Sequence, residues 1–374
     1  MKVTKMRKML LLALAGLLVV TLCIGCTQDT AETPAETPSE QPSTAQPEQP
    51  AETAQEEPEE APEQEASGDY KYPGAVGKTA TIILKDLTNP VWIQAAAGAQ
   101  AAAEEFGMDL EVAAPVVSNN NDEQIQLVQQ AIAKKKDIVI LTPADSTGIV
   151  PAVTELNEAN IPVINLNTKI NNESGKANSE TFVVADNITC ATLCATELAK
   201  LAGEEGEAII LQGPSGGQVT IDLTKGAEDT FAKYPNIKIV DKKDAKFDRA
   251  TGYSVTQDML ITYPNLKIIF SCNDEMALGA LKAVEEAGKQ DDIVIGGIDG
   301  NQDALAAIKE GRLDVTVYKN FWLQAYTATE AAARFLNGEK LEELIPIDLS
   351  VVTKDNVDEY IEKNIEYSKY EPKQ

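Results

Sequence analysis

The chain has 374 residues, a formal net charge of -27 and no histidine. A protein this acidic is a poor partner for nucleic acid, because it would repel the phosphates. The lack of histidine excludes Ser-His-Asp and Cys-His triads and all histidine metal sites. No other catalytic motif is present, so we predict a protein that is not an enzyme and carries no metal or other cofactor.

The first 26 residues have the pattern of a secretory signal. Basic residues precede an apolar run over 9–22, and Gly25 and Cys26 follow. The run is too short for a membrane-spanning helix with these flanks. A cysteine directly after a small residue resembles the bacterial lipobox, although Cys23 stands where an aliphatic residue is usual. This resemblance implies that residues 1–25 are removed and that Cys26 is lipidated; the alternative is an uncleaved anchor.

Residues 26–70 form a low-complexity segment of Ala, Glu, Thr, Pro and Gln, without lysine or arginine. Such a composition buries too little apolar surface to offset the loss of chain entropy. Repulsion between its carboxylates and the stiffness of its prolines extend it. We predict an acidic tether that holds a folded domain away from a membrane; the alternative is a disordered tail with no spacing role.

From Thr79 onward, short apolar strands alternate with helices. The predicted strands span residues 79–84, 109–114, 137–141, 162–166, 182–185, 207–211, 237–240, 266–270, 293–297 and 315–318. The predicted helices span 90–106, 122–133, 148–159, 188–201, 220–231, 250–262, 276–284, 303–309 and 321–336. This alternation predicts parallel sheets covered by helices on both faces, in two successive doubly wound α/β lobes.

The stretch Phe270–Ala283 joins a strand to a helix through the polar pair Asn273 and Asp274. In open α/β sheets, ligands bind outside the carboxyl ends of strands, so this turn is a candidate binding site. The alternative is that Asn273 serves as a helix N-cap that satisfies free N–H groups. The glycines of 211–217 and 292–300 lack the spacing of a phosphate loop or a dinucleotide turn.

Three cysteines follow the tether. Cys190 and Cys194 lie four residues apart on a predicted helix, and Cys272 ends a strand. One interpretation is a redox or metal-binding pair. The other is that the cysteines are small buried residues, and we favour this second interpretation. No disulfide framework is predicted.

Short motifs spread over residues 79–363 form a set. They are TNPVW at 88–92, TPADS at 142–146, IPVI at 161–164, ADN at 185–187, LQG at 211–213, KFDR at 246–249, NDEMALG at 273–279 and IDG at 298–300. In kind and order they resemble the motifs of ribose-type periplasmic sugar-binding proteins, the substrate receptors of ABC transporters.

The resemblance implies two α/β lobes joined by three crossings. One lobe would hold residues 78–185 and 320–347, and the other 186–319 and 348–365. It also implies a monomeric receptor, anchored by lipid at the extracytoplasmic face of the cell membrane, that delivers a sugar-like ligand to ABC permease subunits. Closure of the cleft around the ligand would signal the loaded state.

Two alternatives concern the partner. Repressors share this fold, but they begin with a DNA-binding helix-turn-helix where this chain has a signal and a tether. The main alternative is a receptor for a sugar-like signal, such as autoinducer-2, that acts with a membrane sensor.

The resemblance also implies that ligand-binding residues lie at strand ends facing the cleft. The matched positions are Lys85, Asn89, Val91, Trp92, Asn167, Thr168, Leu223, Phe247, Asn273, Asp299 and Lys319. Trp92 and Phe247 would stack on the two faces of a sugar ring. Asn89, Asn273 and Asp299 would bind its hydroxyls.

Several of these positions depart from the ribose-like pattern. At the position of Asn167, ribose-like members carry Asp. At the positions of Thr168 and Leu223 they carry Arg, and at that of Lys319 they carry Gln. Here those bidentate groups are lost, and Lys85 and Lys319 add two positive charges, which do not replace an arginine fork. We therefore predict a ligand other than ribose, with more acceptor or anionic character. The alternative is that both lysines are solvated residues near the cleft mouth.

Overall fold

The computed structural model describes residues 70–369, in which twelve strands and ten α-helices alternate. The strands are β1 (Thr79–Ile83), β2 (Asp109–Ala113), β3 (Ile138–Leu141), β4 (Val163–Leu166), β5 (Thr181–Val184), β6 (Glu205–Gln212), β7 (Asn236–Asp244), β8 (Leu266–Ser271), β9 (Val294–Asp299), β10 (Val315–Tyr318), β11 (Leu344–Pro346) and β12 (Ser350–Val352). The helices are α1 (Pro90–Phe106), α2 (Asn121–Ala133), α3 (Val150–Glu158), α4 (Asn187–Leu201), α5 (Gln218–Phe231), α6 (Arg249–Thr262), α7 (Asp274–Glu286), α8 (Gln302–Glu310), α9 (Phe321–Leu336) and α10 (Val357–Tyr367).

The predicted signal, Cys26 and all of the tether except Tyr70 lie outside the described residues. Within residues 70–369, no helix combines the length and hydropathy needed to cross a membrane.

The strands form two six-stranded sheets, in the orders β2-β1-β3-β4-β5-β11 and β7-β6-β8-β9-β10-β12. Neighbouring strands are parallel except β10 and β12, which are antiparallel. The first five strands of each sheet follow the doubly wound order 2-1-3-4-5. This confirms the predicted fold class.

The strand cores are apolar on both faces, as expected of parallel sheets covered by helices. All four residues of β3 are buried, and so are all four of β4 and β10. Helix α1 approaches α9 so closely that a Cβ atom on Gly98 would clash with the carbonyl of Trp322. The alanine-rich sequence of α1 therefore allows two helices to pack tightly over the first sheet.

Asparagine or aspartate caps seven of the ten α-helices within residues 70–369. In each case the side-chain oxygen accepts a hydrogen bond from a backbone N–H of the first turn, which a free helix start requires. The seven caps are Asn89, Asn120, Asp186, Asp248, Asn273, Asn301 and Asn320. Most of them follow the carboxyl end of a strand, so polar side chains gather at those edges of the sheets.

The chain crosses between the sheets three times. It leaves the first sheet after β5, returns to it between β10 and α9, and leaves again between β11 and β12. Helix α4 packs in the core of the second sheet, and α9 packs in the core of the first. The three crossings that the resemblance implied are therefore present.

Three elements were not predicted, and β7 is the strand that extends furthest beyond its predicted bounds. β11 and β12 have three residues each, and α10 follows them. β7 continues to Asp244, four residues beyond its predicted end at Val240, because its polar half still pairs with β6 after a register shift between Ala208 and Ile209.

One buried carboxylate ties three elements of the second sheet together. Asp274, the first residue of α7, accepts hydrogen bonds from Gly300 N at 2.7 Å and from Asn301 N at 2.8 Å. Its other oxygen accepts from the Thr316 hydroxyl of β10 at 2.7 Å. Burial raises the pKa of Asp274 to about 6, and these three donors oppose the rise.

We expect Asp274→Ala to lower the free energy of unfolding by roughly 3 kcal/mol, because three buried donors lose their acceptor. Asp274→Asn should cost less, since its carboxamide oxygen still accepts. Urea denaturation followed by circular dichroism measures both changes, with the exposed Asp291→Ala as the matched control. A loss below about 1 kcal/mol in Asp274→Ala would contradict a structural role for this carboxylate.

Candidate functional site

Residues that follow strands of both sheets line one cavity of about 360 Å³. Ten of the eleven predicted site residues border it, so the structure brings together residues that are far apart in sequence. Those ten are Lys85, Asn89, Val91, Trp92, Asn167, Leu223, Phe247, Asn273, Asp299 and Lys319. The cavity lies outside the carboxyl ends of β1, β8 and β9, near the point where each strand order reverses.

Thr168 is the residue that the structure does not bring to this cavity. It borders an adjoining cavity of about 160 Å³, which Lys85 and Phe247 also border. Its hydroxyl donates a hydrogen bond to Oδ1 of Asn167 at 3.4 Å.

Two aromatic rings face the cavity from different lobes. Trp92 lies in the first turn of α1 and meets Phe321 edge to face, with ring centroids 5.1 Å apart. Phe247 lies in the loop between β7 and α6 and packs over Gly213, where a Cβ atom would collide with its ring. The rings therefore provide apolar surface on both sides of the cavity.

The two asparagines Asn89 and Asn273 are both helix caps and cavity residues. Oδ1 of Asn89 accepts from Val91 N, and Oδ1 of Asn273 accepts from Met276 N. Nδ2 of Asn273 also donates to the Phe247 carbonyl at 3.3 Å. An asparagine side chain has two donors and two acceptor lone pairs, so Asn273 keeps one of each for a ligand. Capping and binding are thus compatible at Asn273.

Asp299 ends β9 with a positive φ of 129°, an uncommon conformation for a residue other than glycine. Its carboxylate forms no hydrogen bond or ion pair with any residue of the described part of the chain. Burial raises the pKa of this carboxyl well above its usual range, and the charge of Lys319 partly opposes the rise.

Both cleft lysines are buried, with 7% of Lys85 and 2% of Lys319 exposed. The alternative that they are solvated surface residues is therefore wrong. Lys319 Nζ donates to Oδ1 of Asn187 at 2.9 Å, whereas Lys85 Nζ has no acceptor among residues 70–369. Burial, together with the charge of Lys319, lowers the pKa of Lys85 to about 7.

Asn167 connects the cavity to a crossing between the lobes. Its Nδ2 donates to Oε1 of Gln324 at 3.0 Å, and Gln324 Nε2 donates to the Lys319 carbonyl at 2.7 Å. This chain of hydrogen bonds fixes the segment between β10 and α9, which carries Lys319.

Sequence reasoning missed several residues that border the cavity. Some organise its walls: Asp86 accepts from both N–H and hydroxyl of Thr88, from Asn89 N and from the Ser118 hydroxyl. The other missed residues are Thr88, Ser118, Asn119, Val219, Lys246, Asp248, Arg249, Cys272, Glu275 and Phe321. The Asp-x-Thr spacing at 86–88 is a turn signal from which the role of Asp86 was predictable.

Arg249 organises the opposite wall. Its guanidinium makes two hydrogen bonds to the Glu275 carboxylate, at 2.8 and 2.9 Å, and a third to Asp303 at 2.8 Å. These bonds join the starts of α6, α7 and α8, so the charge of Arg249 is used within the protein.

The three cysteines of the folded part are buried and unbridged, which confirms the interpretation as small buried residues. Cys272 borders the cavity, and burial raises the pKa of its thiol to about 12, so the thiol is neutral at pH 7. No group of metal-ligating side chains occurs within residues 70–369.

Two doubly wound lobes, joined by three crossings around a cavity of aromatic and polar side chains, define the class of type I periplasmic binding proteins. The family model for the periplasmic binding protein domain matches residues 80–340. The chain therefore belongs to this family, which confirms the resemblance seen in its motifs.

Similar proteins agree with this assignment. The chain is 32% identical to the ribose import binding protein of Escherichia coli K12, over 74% of this chain and 90% of that protein. Among solved structures, it resembles a periplasmic solute-binding protein of Actinobacillus succinogenes 130z with bound D-allose. The TM-score is 0.73 and the identity 31%, over 76% of this chain and 100% of that chain. A solute-binding protein of Bacillus halodurans C-125 with bound myo-inositol gives a TM-score of 0.71 and 31% identity, over 77% of this chain and 99% of that chain.

We expect ligand binding to change the fluorescence of Trp92, because its ring borders the cavity. The chain has two tryptophans, so Trp322→Phe leaves Trp92 as the single reporter. Trp92→Ala and Phe247→Ala should each weaken binding by on the order of 1–3 kcal/mol through lost stacking. Unchanged affinity in Trp92→Ala, with the fold intact by circular dichroism, would exclude the stacking role.

Proposed function

We propose that this protein is an extracytoplasmic solute-binding receptor of an ABC transporter. It binds a sugar or sugar-like small molecule between its two lobes and delivers it, chemically unchanged, to the permease subunits. The observation that carries the proposal is the cavity itself, in which aromatic rings and hydrogen-bonding side chains from both lobes converge. Two relatives are named as binding proteins for ribose and for D-allose, which supports a ligand of this class.

The chemistry of the cavity suits a ring with many hydroxyls. Trp92 and Phe247 offer apolar faces, and hydroxyls both donate and accept, as the remaining capacity of Asn273 requires. Asp299 has free acceptor oxygens at the end of β9. We propose that Asn89, Asn273 and Asp299 bind ligand hydroxyls, and that contacts from both lobes favour the closed state.

A calorimetric screen of pentoses, hexoses and cyclitols tests this function, with Asn273→Ala and Asp299→Ala as site variants. We expect at least one compound to bind the wild type and to bind each variant more weakly by roughly 1–3 kcal/mol, because buried polar groups lose partners. Asn120→Ala is the matched control, since Asn120 caps α2 without bordering the cavity.

If both variants lost well below tenfold in affinity, Asn273 would be only a helix cap and Asp299 only a turn residue. Turnover of a bound sugar would contradict the role of a receptor.

We further propose that the mature protein begins at a lipidated Cys26 and is held at the outer face of the cytoplasmic membrane. The motif Ile24-Gly25-Cys26 after the apolar run supports this. We expect protein extracted from membranes to carry a diacylglyceryl group on Cys26, as measured by mass spectrometry of the N-terminal peptide. Cys26→Ser should release the protein from the membrane; an unmodified Cys26 in the wild type would contradict the anchor.

A further inference from the structure

Two lysines approach the cavity from different sheets. Lys85 follows β1 of the first sheet, and Lys319 follows β10 of the second. Lys85 Nζ lies 5.7 Å from the ring centroid of Trp92, and Lys319 Nζ lies 5.5 Å from that of Phe321. Because these two rings touch edge to face, the four side chains form one continuous group, which we call the lysine–aromatic cluster.

The hydrogen-bonding capacity of this cluster is largely unused by the protein. An ammonium group has three donors. The ammonium group of Lys319 donates one hydrogen bond, to Asn187, and that of Lys85 donates none to any described residue. Neither lysine forms an ion pair with Asp299. The oxygens of Asp86 accept from Thr88 and Asn89 of its own loop and from the Ser118 hydroxyl. A buried ammonium without an acceptor is costly, so the cluster favours a ligand that supplies one.

The charges that face the cavity favour a single negative charge on that ligand. At its outer wall Arg249 is paired with Glu275 and Asp303, and Lys246 and Asp248 bring opposite charges. In the interior, two lysines share the space with the carboxyl groups of Asp86 and Asp299. Burial raises the pKa of Asp299 well above its usual range, so its neutral form is favoured and one positive charge is left over. A monoanion therefore matches the excess positive charge, whereas a dianion would exceed it.

We propose that the ligand is a sugar derivative that carries one carboxylate, and that this carboxylate lies between Lys85 and Lys319 beside the Trp92–Phe321 pair. Its ring hydroxyls then face Asn89, Asn273 and Asp299. The proposal rests on the proposed sugar-binding function and specifies the chemical class of its ligand. It also assigns Lys85 and Lys319 as the residues that discriminate acids from neutral sugars.

The site makes acid binding dependent on pH. Burial and the charge of Lys319 lower the pKa of Lys85 to about 7, while Asp299 and Asp86 raise it. The free protein therefore loses the Lys85 proton as the pH rises above 7, and a bound carboxylate favours its return. Binding takes up a proton, so affinity for the acid falls by up to roughly tenfold per pH unit above 7.

The experiment is calorimetric titration with matched pairs of probes. They are D-glucose with D-glucuronate, D-galactose with D-galacturonate, D-mannose with D-mannuronate, and D-ribose with D-ribonate. Wild type is compared with Lys85→Met and Lys319→Met at pH 6.5 and 8.5. Lys282→Met is the matched control, because its side chain is 66% exposed on α7 and pairs with Glu286. Lys85→Gln provides a second variant should Lys85→Met fold poorly.

We expect at least one acid to bind the wild type more tightly than its neutral partner, by roughly 100-fold at pH 6.5. Each cavity variant should lose on the order of 30-fold or more for that acid and little for the neutral sugar. Lys85→Met should also lose the pH dependence, which a role in packing alone would not remove. Lys282→Met should behave as the wild type.

The outcomes separate this proposal from the proposed function. Neutral sugars that bind as tightly as their acids would overturn the carboxylate proposal and leave the receptor function intact. Acid binding that is insensitive to both lysine variants would also overturn it. Failure of every neutral sugar and every acid to bind would count against the receptor function itself.

Discussion

The structure depends on one constraint, which is that the free N–H groups at the start of each helix need acceptors. This chain supplies them mainly with asparagine and aspartate at the ends of strands, the edges where the two sheets face the cavity. The polar character of the cavity is therefore first a consequence of folding. Asn89 and Asn273 show how recognition is added, because each caps a helix with one atom and presents others to the cavity.

Charged groups around the cavity fall into two sets with different tasks. Arg249 with Glu275, and Asp86 with its loop, have partners within the protein and fix the shape of the walls. Lys85 and Asp299 have no hydrogen-bond or ion-pair partner among the described residues. Burial lowers the pKa of Lys85 and raises that of Asp299, so it favours the neutral form of each. Burying unpaired charges is costly for the free protein. Their retention in the cavity is understandable if ligand binding recovers that cost.

Much of this was predictable from sequence, and the failures have physical causes. The bounds of α1 and α9 were predicted correctly, because Pro90, Gly107 and the apolar periodicity mark them locally. β11 and β12 were missed because three residues show no periodicity and pairing with distant strands creates them. The burial of Lys85 and Lys319 was left open, since lysine is usually exposed and tertiary packing alone buries it. Phe321 was missed because only tertiary packing against Trp92 brings its ring to the cavity.

The hydrogen bonds from Asn167 through Gln324 to the Lys319 carbonyl have a mechanical consequence. They hold Lys319 on the segment that joins the two lobes, while Lys85 belongs to the end of β1. Any motion that brings these two ammonium groups nearer raises their Coulomb repulsion, most steeply in a dry cavity. An anion between them reverses the sign of that force. With the proposed carboxylate bound, the same two lysines would therefore favour closure of the loaded cleft, whereas they would oppose closure of the empty one.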